Sequence, residues 1–247
     1  MNDLVLIHGW GVGSYVWAPL LEALAVSAPR CRIHLLDLPG YGSAVADSGS
    51  FAAQAKKLLA TLPPDCTLCG WSLGALFALQ MAQWAAQKIR RLVLVGASPC
   101  FMQREDWPQA QPPALLDGFI QAIGDQPEAT LQRFIALLNQ GDTQAKRIGR
   151  LLRQGLLATP LPDRDSLLQG LGYLRDLDLR AAVPAIRTPT LLIHGEHDPL
   201  MPVAAAHWLQ AALPMARLEN FADAAHAPFL NDPERFARLL GEYADAS

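Results

Sequence analysis

The sequence predicts an α/β domain: a mostly parallel sheet of about six strands, with helices on both faces and an inserted helical segment. Three observations lead there. Short apolar runs alternate with helical stretches through most of the 247 residues. One long interval, from about 100 to 185, breaks the alternation and carries only amphipathic segments. The residues able to do chemistry follow the apolar runs, where an open parallel sheet gathers its reactive loops.

The strand-like runs fall near 4–8, 32–36, 66–70, 91–96, 189–194 and 216–221. The helical stretches fall near 15–26, 51–62, 73–87 and 202–212, with a last one near 233–244. This regular alternation is the pattern of strand–helix–strand units in a parallel sheet. The interrupted interval is divided by Trp107-Pro108, Pro112-Pro113 and Pro160-Leu161-Pro162, and it enters and leaves between two strands. It reads as a helical cap over a pocket, with the core made of 1–99 and 186–247 and the cap of 100–185. The plainer alternative is a helical insertion with a purely structural role.

Composition narrows the function. Apolar residues make up 51%, ample for one core, and the net charge of −3 does not suit a molecule built to grip nucleic acid. No apolar run is long enough to span a membrane, and no basic start leads into a secretory h-region. Cys31, Cys66, Cys69 and Cys100 do not form a disulfide framework in a chain of this length. Cys66 and Cys69 mimic a redox or zinc pair, but they lie along a strand, where positions three apart point to opposite faces. The expectation is a cytoplasmic monomer with reduced thiols, no metal and no cofactor.

The most informative stretch is Gly70-Trp71-Ser72-Leu73-Gly74, between an apolar run and a helix. Gly-x-Ser-x-Gly in that context is a nucleophile elbow: a sharp turn lifts the serine out of the sheet. A serine hydroxyl needs a neighbouring base to become nucleophilic. His226, in Ala224-Ala225-His226-Ala227-Pro228-Phe229, is placed to be that base, and Asp198, in Gly195-Glu196-His197-Asp198-Pro199, to orient it. Ser, then Asp, then His is the chain order of α/β-hydrolases. Glu196 is a rival acid, and His197 belongs to the acid-bearing loop. His34 and His194 lie within predicted strands, and His207 on a helix surface. Asp37 precedes the elbow and reads as part of a structural turn.

The first strand leads into His8-Gly9-Trp10-Gly11, a loop type that supplies one backbone amide to a developing oxyanion. The donors assigned are Trp10 and Leu73, the residue after the serine. A glycine turn that merely packs a tryptophan is the alternative for the first loop. Between 129 and 157 the chain carries Arg133, Lys146, Arg147, Arg150 and Arg153 against the single acid Asp142. Lys146, Arg150 and Arg153 share one helix face. That face is either simply solvated or a dock for an acidic partner.

Four segments together are similar to one family: Gly70 to Gly74, His8 to Gly11, Ala97-Ser98-Pro99-Cys100-Phe101, and His226-Ala227-Pro228-Phe229. They resemble the pimeloyl-[acyl-carrier protein] methyl ester esterases, biotin-pathway carboxylesterases of the α/β-hydrolase superfamily. The likeness extends through Asp106-Trp107-Pro108 and Arg133 to Leu137. It implies an α/β-hydrolase fold with a helical cap, and methanol-releasing hydrolysis of a pimeloyl methyl ester borne by acyl carrier protein, with small esters as further substrates. It further implies Ser72, Asp198 and His226 as triad, and Trp10 and Leu73 at the substrate carbonyl. Phe134, Ile135, Ala136, Leu137 and Leu138 would line the acyl pocket, and Arg133, Lys146 and Arg150 would dock the carrier. Two features depart from the pattern. The chain begins almost at the strand before His8, so six strands are expected where the fold often has eight, and Ala129 stands at one basic docking position. The same frame also serves short-chain carboxylesterases, thioesterases, carbon–carbon hydrolases and non-catalytic binding proteins.

Overall fold

The computed structural model describes residues 2–246. Its centre is one six-stranded sheet, ordered β2-β1-β3-β4-β5-β6, in which every pairing is parallel. The strands are β1 (Asn2–Ile7), β2 (Cys31–Leu36), β3 (Cys66–Trp71), β4 (Ile89–Val95), β5 (Thr190–Gly195) and β6 (Ala216–Phe221). β3 and β5 are buried along their whole length. That explains their unbroken apolar character, because a parallel strand covered on both faces has no solvent side to mark with polar residues.

Each strand pair is joined by a crossover, and right-handed crossovers decide which face a helix covers. The chain moves one way from β1 to β2 and the other way from β3 onwards. Helix α1 (Ala18–Ser27) therefore lies on the face opposite α2 (Phe51–Thr61) and α3 (Leu73–Trp84). α10 (Pro233–Asp245) packs against α1 and completes its layer. α8 (Val203–Ala212) crosses from β5 to β6. The order in which strands are added reverses between the parallel neighbours β1 and β3, and the loops that follow these two strands open side by side at that switch point.

Between β4 and β5 the chain leaves the sheet for four helices: α4 (Pro113–Asp125), α5 (Pro127–Leu138), α6 (Ala145–Ala158) and α7 (Arg164–Asp176). The insertion closes on itself at a neck. Cys100 bridges Asp178, and the Leu179 amide donates to the Pro99 carbonyl at 2.9 Å. The expected boundary at 185 thus lies past the neck, because the stretch after Leu179 already runs back along the core and ends in a 3-10 turn, Val183–Ala185. Of the prolines that divided this interval, Pro113 opens α4, and Pro127, not among those dividers, opens α5 in the same way; a missing amide hydrogen costs nothing at a helix start.

The insertion is fastened to the core by buried aromatic contacts. Trp10 meets Phe134 edge to face at 4.8 Å and Phe119 at 5.9 Å, and its indole N–H donates to the Leu167 carbonyl at 2.8 Å. A second aromatic group lies under the elbow: Phe229, at the start of the one-turn α9 (Pro228–Asn231), touches Trp17 at 4.4 Å, Trp71 at 5.0 Å and Phe236 at 5.9 Å. It therefore joins the last loop to three other parts of the core. Phe229→Ala is expected to destabilise the fold by about 3–5 kcal/mol through the cavity it leaves. A urea unfolding curve checks this, and an unchanged midpoint would contradict the packing role.

Candidate active site

All the residues singled out at the carboxyl ends of the strands meet at one rim. Ser72 sits between β3 and α3 at φ 56° and ψ −118°. For a residue with a Cβ this is a strained conformation, and of the described non-glycine residues only Asp65 shares a positive φ. The strain persists because the surroundings over-determine the turn. The Ser72 amide donates to the Val95 carbonyl at 2.9 Å. A Cβ on Gly74 would lie 2.5 Å from the His8 carbonyl oxygen and 2.6 Å from that of Ile7, and a Cβ on Gly70 would strike the Gly74 carbonyl. Only glycines let strand, turn and helix approach this closely.

Asp198 and His226 are in direct contact. His226 Nδ1 lies 2.7 Å from Asp198 Oδ2, and the imidazole is fully buried. The other carboxylate oxygen, Oδ1, accepts the Leu200 amide at 2.9 Å and the Met201 amide at 2.8 Å. Burial alone would raise the Asp198 pKa, but the His226 charge and hydrogen bond, with help from His194 and the Met201 amide, hold it below the usual carboxylate value. An ionised acceptor requires the proton on Nδ1, which in the neutral ring leaves the lone pair on Nε2. That Nε2 is buried and has no hydrogen-bond partner among the described residues.

The ring of His226 is held from several sides. The Trp71 indole donates to the His226 carbonyl at 2.8 Å, and the two rings stand 5.5 Å apart. Gly96, at φ 50°, offers a bare face: a Cβ there would come within 3.0 Å of Nδ1. Ser72 hangs from Val95 and His226 presses on Gly96, so the end of β4 carries both. No direct hydrogen bond joins them. Glu196 and His197 are exposed, whereas Asp198 is buried against His226.

The loop after β1 abuts the elbow, since a Cβ on Gly9 would lie 3.0 Å from the Ser72 Cβ. His8 fixes this loop. Its Nδ1 donates to the Gly9 carbonyl at 2.8 Å while its Nε2 accepts the Leu38 amide at 3.1 Å. Asp37 is structural, accepting from the Ser14 amide at 3.1 Å and from its hydroxyl. The Trp10 amide has no hydrogen-bond acceptor among the described residues. The Leu73 amide opens α3, where the first amides lack helical partners and the helix dipole favours negative charge.

An apolar cavity starts at Ser72 and is walled by Trp10, Phe101, Phe119, Phe134, Leu171 and Leu200, among others. Of the five α5 residues expected along the acyl pocket, Phe134 alone lines it. Ile135, Leu137 and Leu138 do not, and Ala136 is exposed. Helix geometry is the reason: five consecutive residues sweep more than one full turn and cannot all face one side. The walls missing from the sequence reading come from α4 and α7, where Leu115 and Phe119, and Leu171 and Leu174, repeat at helical spacing. That spacing was the available clue.

The remaining candidates are dispersed. Arg133, Lys146, Arg150 and Arg153 are exposed, and no ion pair engages them among the described residues. Arg147 instead reaches back to the carbonyls of Leu230 and Asn231. Cys66 and Cys69 are buried free thiols, and burial pushes the Cys66 thiol up to about 11. No described helix is long and apolar enough to cross a membrane.

The family model for the alpha/beta hydrolase fold matches residues 3–233. The chain is 42% identical over 243 residues to a pimeloyl-[acyl-carrier protein] methyl ester esterase of Aromatoleum aromaticum, covering 96% of each chain. It is 38% identical over 245 residues to the protein so named in Yersinia pseudotuberculosis, covering 98% of this chain and 93% of that one. Among solved structures, an esterase from Exiguobacterium antarcticum superposes with a TM-score of 0.89 at 24% identity, over 100% of this chain and 92% of that one. A bromoperoxidase from Bacillus anthracis gives 0.88 at 19% identity, over 99% and 92%. At such identities the two structures speak for the fold alone.

Two buried imidazoles at this rim make stability depend on pH. Burial holds His8 and His194 below the usual imidazole value, outweighing Asp37 beside the first and Asp198 beside the second. Below about pH 6.5 the unfolded chain binds protons that the native state refuses, so stability falls as pH falls. The expected slope is up to about 1.4 kcal/mol per pH unit for each histidine. Urea unfolding at about pH 7.5 and about pH 5.5 measures it, and His194→Gln should flatten the slope. An identical slope in that variant would contradict the assignment.

Proposed function

Because the chain belongs to the alpha/beta hydrolase family, and within it to the pimeloyl-[acyl-carrier protein] methyl ester esterases, we propose that it is a serine carboxylesterase of biotin synthesis. It hydrolyses the methyl ester of a pimeloyl chain carried by acyl carrier protein, and accepts small esters as well. The observation that carries this reading is the buried Asp198–His226 pair with an unengaged Nε2, at the same sheet rim as a strained serine that opens onto an apolar cavity.

Ser72 Oγ attacks the ester carbonyl carbon, and its proton passes to His226 Nε2. Asp198 keeps the imidazole in the receiving tautomer and stabilises the imidazolium that forms. The negative charge on the former carbonyl oxygen rests on the amides of Trp10 and Leu73. The tetrahedral adduct collapses, the C–O bond to the methoxy group breaks, and His226 returns the proton so that methanol leaves. A water molecule then gives a proton to the same Nε2 and attacks the acyl-enzyme, releasing the free carboxylate and restoring Ser72. The helical insertion acts as the cap, excluding bulk water and gripping the acyl chain between Phe134, Phe119 and Leu171.

The exposed cations of α5 and α6 suit an acidic carrier. Arg133, Lys146 and Arg150 have no neutralising partner among the described residues, so their charge is available for steering and docking. Arg147 is committed to the core and is not part of that surface.

Two experiments test the reading. Ser72→Ala should keep its fold and lose about 10⁴-fold or more in turnover of p-nitrophenyl butyrate, together with covalent labelling by a fluorophosphonate. Turnover near the parent rate would refute the nucleophile. Charge reversal at Lys146 and Arg150 should lower kcat/KM for the carrier-bound methyl ester while sparing the small ester. Equal losses on both substrates would reject the docking surface.

A further inference from the structure

We propose that Asp142, in the turn between α5 and α6, is a positioning residue for His226: its buried carboxylate ties the helical insertion to the backbone that presents the imidazole. The inference rests on the reading of His226 as the base. Asp142 is the lone acid in the basic stretch of the insertion, yet it is only 7% exposed and, among the described residues, forms no ion pair with the cations around it. Its Oδ2 accepts the amide of Ala225 at 2.8 Å. Its Oδ1 accepts the amide of Gln144 at 2.7 Å and the side-chain amide of Asn231 at 2.8 Å.

These bonds sit on either side of the histidine. Ala225 precedes it, and Asn231 closes the helical turn that follows. Neighbouring backbone bonds add to the clamp: the His226 amide donates to the Leu138 carbonyl at 3.2 Å, and the Thr143 amide to that of Asp223 at 3.1 Å. From the other side, the His197 amide donates to the Ala224 carbonyl at 3.0 Å, and Gly195 leaves room for the Ala225 carbonyl. The loop 223–226 is thus held between the turn that carries Asp198 and the turn that carries Asp142. Asp198 fixes the ring, whereas Asp142 fixes the peptide from which the ring projects.

A ring held at both ends has little freedom to swing, and small misplacements of a catalytic group are costly. Loss of the Asp142 carboxylate releases the Ala225 peptide without touching the cavity that receives the acyl chain. The consequence falls on turnover and not on substrate affinity.

The test uses the full chain with Asp142→Ala and the near-isosteric Asp142→Asn, which places a donor where the carboxylate had only acceptors. Both should lower kcat for p-nitrophenyl butyrate by about tenfold or more while KM stays within about twofold. Both should also shift or erase the downfield proton resonance of the His226 Nδ1–H···Asp198 bond. The near-isosteric variant supplies the readout if the alanine variant fails to fold. Parent kcat and an intact resonance in either folded Asp142 variant would overturn the proposal. A His226→Ala variant with parent kcat would instead overturn the assignment of the base.

Discussion

The buried contact between the Asp198 carboxylate and the His226 imidazole governs the architecture around it. A carboxylate withdrawn from water is tolerated only when its oxygens are satisfied. Here one oxygen holds the imidazole and the other takes two backbone amides from the turn after Asp198. That turn must stay close to β5, the histidine loop must stay close to β6, and the two strands must be neighbours in parallel register, as they are. The sheet order is in this sense the condition for the pair to exist.

The other half of the site is built by close backbone approach. Gly70, Gly74 and Gly9 let β1, β3 and α3 crowd around Ser72, and Gly96 lets the imidazole rest on the end of β4. The strain at Ser72 is sustained by the fully buried β3 before it and by the buried carboxyl-terminal halves of β1 and β4 on either side. Rigid packing below and an insertion tethered by Trp10, Phe134 and the Asp142 turn above leave a narrow apolar space between them. Polar atoms inside that space are few, and they belong to the residues proposed for the chemistry.

Much of this was legible in advance, because strands and elbow advertise themselves locally. The six apolar runs coincide with the six strands to within a few residues, since each is a short run bounded by turn residues, including the half-buried edge strands β2 and β6. Gly-Trp-Ser-Leu-Gly announces a turn whose neighbours must be glycine, and the order of Asp198 and His226 follows from the strands they terminate. The acyl wall was harder. Phe134 lines the cavity, but Ala136 faces solvent; Phe119 and Leu171 carried only their helical spacing as a clue, and Leu200 had no mark to distinguish it from other core residues. Which stripe of an inserted helix faces a cavity depends on how the helices pack, and no single helix records that.

The sequence by itself determined the α/β class, the strand ends that carry the residues proposed for the chemistry, and the family, because these depend on patterns and spacings within one segment at a time. The tertiary structure alone decided that Asp198 and not Glu196 turns inward, that Phe134 alone of its five-residue stretch meets the cavity, and that Asp142 reaches across to Ala225. Each of those outcomes depends on contacts between segments far apart in the chain, where burial and hydrogen-bond partners are set by packing.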